Sequence, residues 1–171
     1  MARWLRGAVG LLALTASAGC QGGHHVDRLG QVGVTVDEQG RPELVVEICH
    51  GAVVGVDVYG PNRGDQDNMR YASLRAAGPR TSSFTVALTQ PGSGWSGKSL
   101  SLPLTDSLYI VDGRTDDDNT TVEAQSSFTP ADVTTLTPGI VQYDVGTSGA
   151  HKRINESSFH EVVCGGQASE S

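Results

Sequence analysis

The sequence predicts an all-β fold, an antiparallel β-sandwich or barrel of short strands with one short helix. Three observations carry that reading. Apolar residues recur at every second position in run after run, the period of a strand with one buried face. Clusters of Gly, Pro, Asn and Asp separate those runs at close spacing. Glycine is abundant, 22 in 171 residues, beside many Ser, Thr and Val, and long apolar stripes at helical period are few.

The elements follow in chain order. Val32, Val34 and Val36 alternate with Gly33 and Thr35, and after the turn Asp37–Pro42 the alternation resumes at Leu44, Val46 and Ile48. The two runs read as a β-hairpin. Val54, Val56 and Val58 make a third strand with Asp57 facing out. Tyr59–Arg80 is less regular: a turn at Gly60-Pro61-Asn62, a cluster of Asp65, Asp67 and Asn68, then Met69–Ala77 read as loop or strand. Phe84, Val86 and Leu88 resume the alternation, and Pro91–Gly97 is a glycine-rich loop with Trp95 at its tip. Leu100, Leu102 and Leu104 around Pro103 read as an edge strand, where proline is tolerated. Leu108–Val111 is a buried strand, Asp112–Asn119 an acidic turn, and Thr120–Phe128 a further strand. Thr129-Pro130-Ala131-Asp132 starts the one helix: a threonine cap, proline at the first position and an acid in the first turn. Ile140–Val145 and Phe159–Cys164 complete the strands.

The first residues form a separate unit. Arg3 and Arg6 precede an uncharged, mostly apolar run, Gly7–Ala18. At about 12 residues the run is shorter than the roughly 20 that span a bilayer. Basic start, short apolar run and small residues are the plan of an export signal. Ser17-Ala18-Gly19-Cys20 resembles the lipobox of bacterial lipoproteins. That resemblance implies that residues 1–19 are a removed signal peptide, that Cys20 is the lipid attachment site, and that the protein sits on the extracytoplasmic face of the cell membrane. An ordinary secretory peptide cut near Ala18 is the alternative. Residues 20–31 then read as a flexible tether, 32–164 as the β-domain and 165–171 as a disordered tail. Three cysteines are an odd number; with Cys20 acylated, Cys49 and Cys164 are left as a disulfide pair. Cys49 is out of phase with Leu44, Val46 and Ile48, which sets a cystine at the sheet margin.

Charge excludes one class of partner. Loss of Arg3 and Arg6 takes the formal net charge from −7 to about −9. Nucleic-acid affinity rests on Lys and Arg neutralising phosphates, so no nucleic acid is expected, and contact with the membrane is expected through the lipid alone.

Several stretches imitate chemistry. Gly92–Ser99 matches the G-x-x-x-x-G-K-[ST] phosphate loop. That loop needs a helix after its Lys-Ser pair, whereas Leu-Ser-Leu-Pro-Leu follows here, so a hairpin loop is expected. Asp112–Glu123 has the length of an EF-hand loop, but Arg114 stands at the third position and Asp117 where the turn needs glycine. A weaker calcium site on the acidic turn competes with a plain solvated turn. His24 and His25 read as tether, and His50, His151 and His160 as surface residues, with His160 able to approach His50 if the cystine forms. Neither a serine-hydrolase pattern nor a cofactor motif emerges. The expected role is non-catalytic: a binding or structural module of the cell envelope with an unknown partner or ligand. An accessory subunit of an envelope complex, or a secreted hydrolase or metal-binding domain, are the alternatives. The Pro91–Gly97 loop with Trp95 is the best candidate for a contact surface, set against a Trp95 ring folded back onto the sheet.

Overall fold

The alternating runs become strands because each finds a partner sheet for its apolar face. The computed structural model describes residues 29–115, 123–146 and 149–165. In chain order the elements are β1 (Gly30–Val36), β2 (Pro42–Ile48), β3 (Val53–Tyr59), β4 (Arg70–Arg80), β5 (Phe84–Ala87), β6 (Trp95–Lys98) and β7 (Tyr109–Arg114), then β8 (Glu123–Ala124), β9 (Ser126–Phe128), α1 (Pro130–Thr135), β10 (Ile140–Val145), β11 (Ala150–Asn155) and α2 (Glu156–Cys164). Sheet A runs β11-β10-β1-β2-β5, with β8 laid parallel against the start of β1; sheet B runs β6-β4-β3-β7-β9. Two separate sheets, antiparallel apart from β8, make a β-sandwich rather than a barrel.

The predicted hairpin is in register from Gly30↔Ile48 to Val36↔Pro42. Asp37 builds its turn, accepting from the backbone N–H groups of Gln39 and Arg41 and pairing with the Arg41 guanidinium at 2.6 Å. Gly40 supplies the φ of +73° that the turn requires. Between the sheets, Val32, Val34 and Leu44 meet Val56, Val58, Leu74 and Val111. Tyr109 stacks on Phe128 with ring centres 5.2 Å apart. Its buried phenol oxygen accepts from the N–H groups of Thr105 and Asp106, so the core also anchors the loop before β7.

The segment Glu123–Phe128 changes sheets at Gln125, pairing with β1 through β8 and with β7 through β9. Buried Ser126 joins the layers: its hydroxyl donates to the Val32 carbonyl and accepts from the Asp144 N–H. The α1 start is as predicted. Thr129 and Asp132 form a reciprocal capping box with Pro130 in the first turn, a device worth about 1 kcal/mol.

Sheet A has a second layer. All of β1 is buried because α2 covers the outer face. Val45, Val141 and Tyr143 receive Phe159, which is fully buried. The ring fits because position 33 has no side chain: a Cβ on Gly33 would lie 2.2 Å from Val141 Cγ1 and 3.1 Å from Phe159 Cζ.

Several expectations are corrected. Phe159–Cys164 lies within helix α2, so the fold has two short helices among the described residues. Phe159, Val162 and Val163 stand at helical spacing, and Phe159 and Val163 pack on sheet A. β11 went unassigned because its residues are mostly exposed and show no apolar alternation. Leu100–Leu104 is not a strand. Leu100 is buried and makes a single backbone bond to Leu88, whereas Leu102 is 50% exposed and the Leu102-Pro103 peptide is cis. Met69–Ala77 resolves into β4, with Ala72, Leu74 and Ala76 inward. β1 takes in Gly30 and Gln31 from the expected tether.

Candidate binding groove

Antiparallel register creates a polar constellation that sequence alone did not assemble. Val56 and Val58 point into the core, so Asp57 and Tyr59 point out of sheet B. On β7, Val111 points in, so Ile110, Asp112 and Arg114 point out. The β3–β7 register pairs Asp57 directly with Asp112. Two carboxylates opposite one another on neighbouring strands repel.

Their surroundings answer only part of that charge. Asp57 is 4% exposed. Its Oδ2 accepts from the Tyr59 hydroxyl at 3.2 Å and faces Arg114 Nη1 at 3.6 Å. Asp112 Oδ2 accepts from Gln125 Nε2 at 3.4 Å. The Oδ1 atoms of both aspartates are buried with no hydrogen-bond partner among the described residues, as is Arg114 Nε. An unsatisfied buried acceptor costs about 1–3 kcal/mol. Burial, reinforced by the negative charge of Asp57, holds the Asp112 carboxyl above the usual carboxylate range against the opposing hydrogen bonds from Gln125 and the Gly113 backbone. Burial and Asp57 likewise raise the Tyr59 phenol, while Arg70, 5.3 Å above its ring, acts in the opposite sense.

Beside the pair lies an open groove of about 740 Å³, lined by Tyr59, Asn62, Asp67, Asn68, Asp112 and Gln125, among others. The β3–β4 connection forms one wall. Gly60 N–H donates to the Met69 carbonyl and Asn68 Nδ2 donates to Asn62 Oδ1 at 2.7 Å, which folds the acidic cluster back over sheet B. Asp67, Asn68 and Asp112 each belong to clusters that the sequence marks; their meeting in one groove does not follow from it.

A stability prediction follows from the sign of the Asp112 shift. Its folded carboxyl binds a proton more readily than the unfolded one. Native stability is therefore lost as pH rises from the ordinary aspartate range through the raised value. Asp112→Asn is expected to stabilise the protein at neutral pH by about 1 kcal/mol and to add nothing below the ordinary aspartate range. Urea titrations at several pH values measure both.

The remaining sequence-marked residues fall elsewhere. Cys20, His24, His25 and residues 116–119 of the acidic turn lie outside the described residues. Cys49 and Cys164 form a disulfide with Cα atoms 5.3 Å apart, joining the end of β2 to the last residue of α2 at the margin, as strand phase requires. Trp95 sits on β6 rather than at a loop tip. Its half-buried ring lies 5.3 Å from Phe84 and 5.6 Å from the Arg80 guanidinium. The phosphate-loop look-alike is the turn into β6, paired with β4 and closed by Gly97 at φ +115°. His50 is exposed, and His151 pairs with Asp144 at 2.6 Å. His160 meets Glu47 at 2.8 Å instead of His50. Ser83 also donates to that Glu47 oxygen. A serine relay needs serine on histidine and histidine on the carboxylate, whereas here both converge on the carboxylate. No three His, Cys, Asp or Glu side chains among the described residues converge as a metal-binding group. No protein-family model, curated protein or solved structure matches the chain.

Proposed function

We propose that this protein is a lipid-anchored, extracytoplasmic binding module of the cell envelope, held by Cys20 and presenting the sheet B groove to its ligand. One observation carries the reading: Cys49 and Cys164 are bridged, with Cα atoms 5.3 Å apart; such bonds persist in oxidising compartments, and the pairing leaves Cys20 as the odd cysteine. The groove's carboxylates, amides and tyrosine suit recognition of a polar ligand.

The test compares intact mass and membrane fractionation of the wild type with Cys20→Ala. The reading expects a diacylglycerol-sized mass increment and membrane retention, both lost in the variant. A soluble wild-type product with no increment overturns the anchor.

A further inference from the structure

We infer that the open outer face of sheet B docks an anionic saccharide chain. The inference deepens the reading of sheet B as a binding surface and rests on it. Strand parity puts Ser73 and Arg75 of β4 on the outside, because Ala72, Leu74 and Ala76 are buried against the core. On β6, Lys98 pairs with Ser73 and Ser96 with Arg75. Gly55 of β3 stands between Arg75 and Arg114, its partners on β4 and β7. Arg70 lies on the same side, over the outward Tyr59 ring. Four of the ten Lys and Arg that follow Arg6 thus share one face of an acidic chain. Among the described residues, that face neutralises one of them: Arg114 pairs with Asp57. Arg70, Arg75 and Lys98 are exposed and take part in no ion pair among the described residues. Lys98 Nζ donates to the Arg70 carbonyl at 3.2 Å, which holds the ammonium over β4 with N–H groups to spare. Sheet A differs, since α2 covers its outside.

Charge selects the sign of the ligand, and the ground between the charges selects its class. Arg75 and Arg114 stand two strand spacings apart, about 10 Å, with Lys98 one strand further out. Cations gathered this closely favour an anion, and a guanidinium takes carboxylate or phosphate through two parallel hydrogen bonds. Ser73, Ser96 and the bare backbone of Gly55 lie between them, and Arg114 lies flat across Gly55, whose Cβ would come within 2.9 Å of Nη2. A protein partner needs an apolar patch to bury at the centre of its interface, which this polar ground does not offer. Nor do β3, β4 and β7 have a free edge for an added peptide strand, because each is paired on both sides. A saccharide needs neither. Its hydroxyls donate and accept at once, as do the amides of Asn62, Asn68 and Gln125 in the groove at the end of this face. Charged groups of the chain then fall on Arg75 and Lys98, and its hydroxyls on the groove.

The experiment titrates the full exported chain, in uncharged detergent, with polygalacturonate and with phosphomannan, which carry carboxylates and phosphates respectively. Neutral dextran and poly-L-glutamate are the comparisons, and each titration is run at about 0.01 M and about 0.1 M salt. Saturable binding to polygalacturonate or phosphomannan is expected, about tenfold or more tighter than to either comparison and weaker at the higher salt. The polymer that binds identifies the anionic group. Arg75→Glu is expected to weaken binding about tenfold, and Lys98→Glu to do the same should the first variant fold poorly. Lys152→Glu makes the same charge change on β11 of sheet A and is expected to leave the affinity within about twofold. Binding to neither charged polysaccharide, or equal binding to dextran, overturns the inference. Equal binding to poly-L-glutamate overturns it in favour of an acidic protein partner. A loss as large in Lys152→Glu as in Arg75→Glu makes net charge the cause and removes the face. Fractionation through Cys20 is independent, so a membrane-retained protein indifferent to these polymers leaves the anchored reading standing.

Discussion

Replacing Cys49 and Cys164 together by serine is expected to lower the unfolding free energy by about 4–5 kcal/mol. The bridge spans 115 residues of sequence, nearly the whole described domain, so its loss frees a large loop in the denatured ensemble. Against a typical total of about 5–15 kcal/mol, that loss moves the fold close to its threshold. The effect acts through the unfolded chain and has a second signature. An unbridged denatured state is more expanded and exposes more surface, so the urea dependence of the unfolding free energy steepens as the midpoint falls. A simple contact loss in the native state lowers the midpoint and leaves the slope alone. Urea unfolding of the oxidised wild type and the double variant separates the two cases. Unchanged stability, with two titratable thiols in the native oxidised wild type, would remove the disulfide from the account.

The bridge also marks how far the sequence could be read. Alternating valines gave the first hairpin its partners and its inward face because alternation is a local property. Cys49 was placed on the opposite face by the same parity, and the structure has it there. The capping box at Thr129 is local too, written in four consecutive residues. What stayed hidden was non-local or weakly patterned. β11 has little apolar face to declare itself. Phe159–Cys164 is short enough for an apolar run to fit a strand or a helix, and only the facing surface of sheet A decides. Asp57 was legible as an outward residue, and Asp112 as the head of an acidic turn. Their apposition depends on the β3–β7 register, across 55 residues, and register between distant strands has no local signature. Trp95 admits two local readings. A lone tryptophan among glycines suits an exposed anchor or a ring folded back onto the sheet, and Phe84 and Arg80 give its ring a place on the sandwich.

The second large effect is expected where α2 meets sheet A. Phe159→Ala is expected to destabilise by about 3–5 kcal/mol, because the ring is fully buried and packs at 5.2 Å on Tyr143. Other contacts of α2 are poor substitutes. His160 meets Glu47 while largely exposed, and Glu156 meets Thr85 at 3.2 Å at the surface, the kind of contact worth at most about 1 kcal/mol. Without the ring, the disulfide and the smaller Val163 contact are left at the end of the helix, and a tethered helix can lift while the sandwich stays folded. Hydrogen exchange then shows fast α2 amides beside protected β1 and β2 amides, and the global loss is limited to the docking free energy of α2. Gly33→Ala tests the same socket from below. Its Cβ would meet Val141 Cγ1 at 2.2 Å and the Phe159 ring at 3.1 Å, an overpacking expected to cost about 1–3 kcal/mol. Combining the two is expected to cost less than their sum, because the alanine at 33 then faces space the ring has left. Strict additivity, or a Phe159→Ala protein with unchanged α2 protection, would mean that the helix is held by something other than the glycine socket.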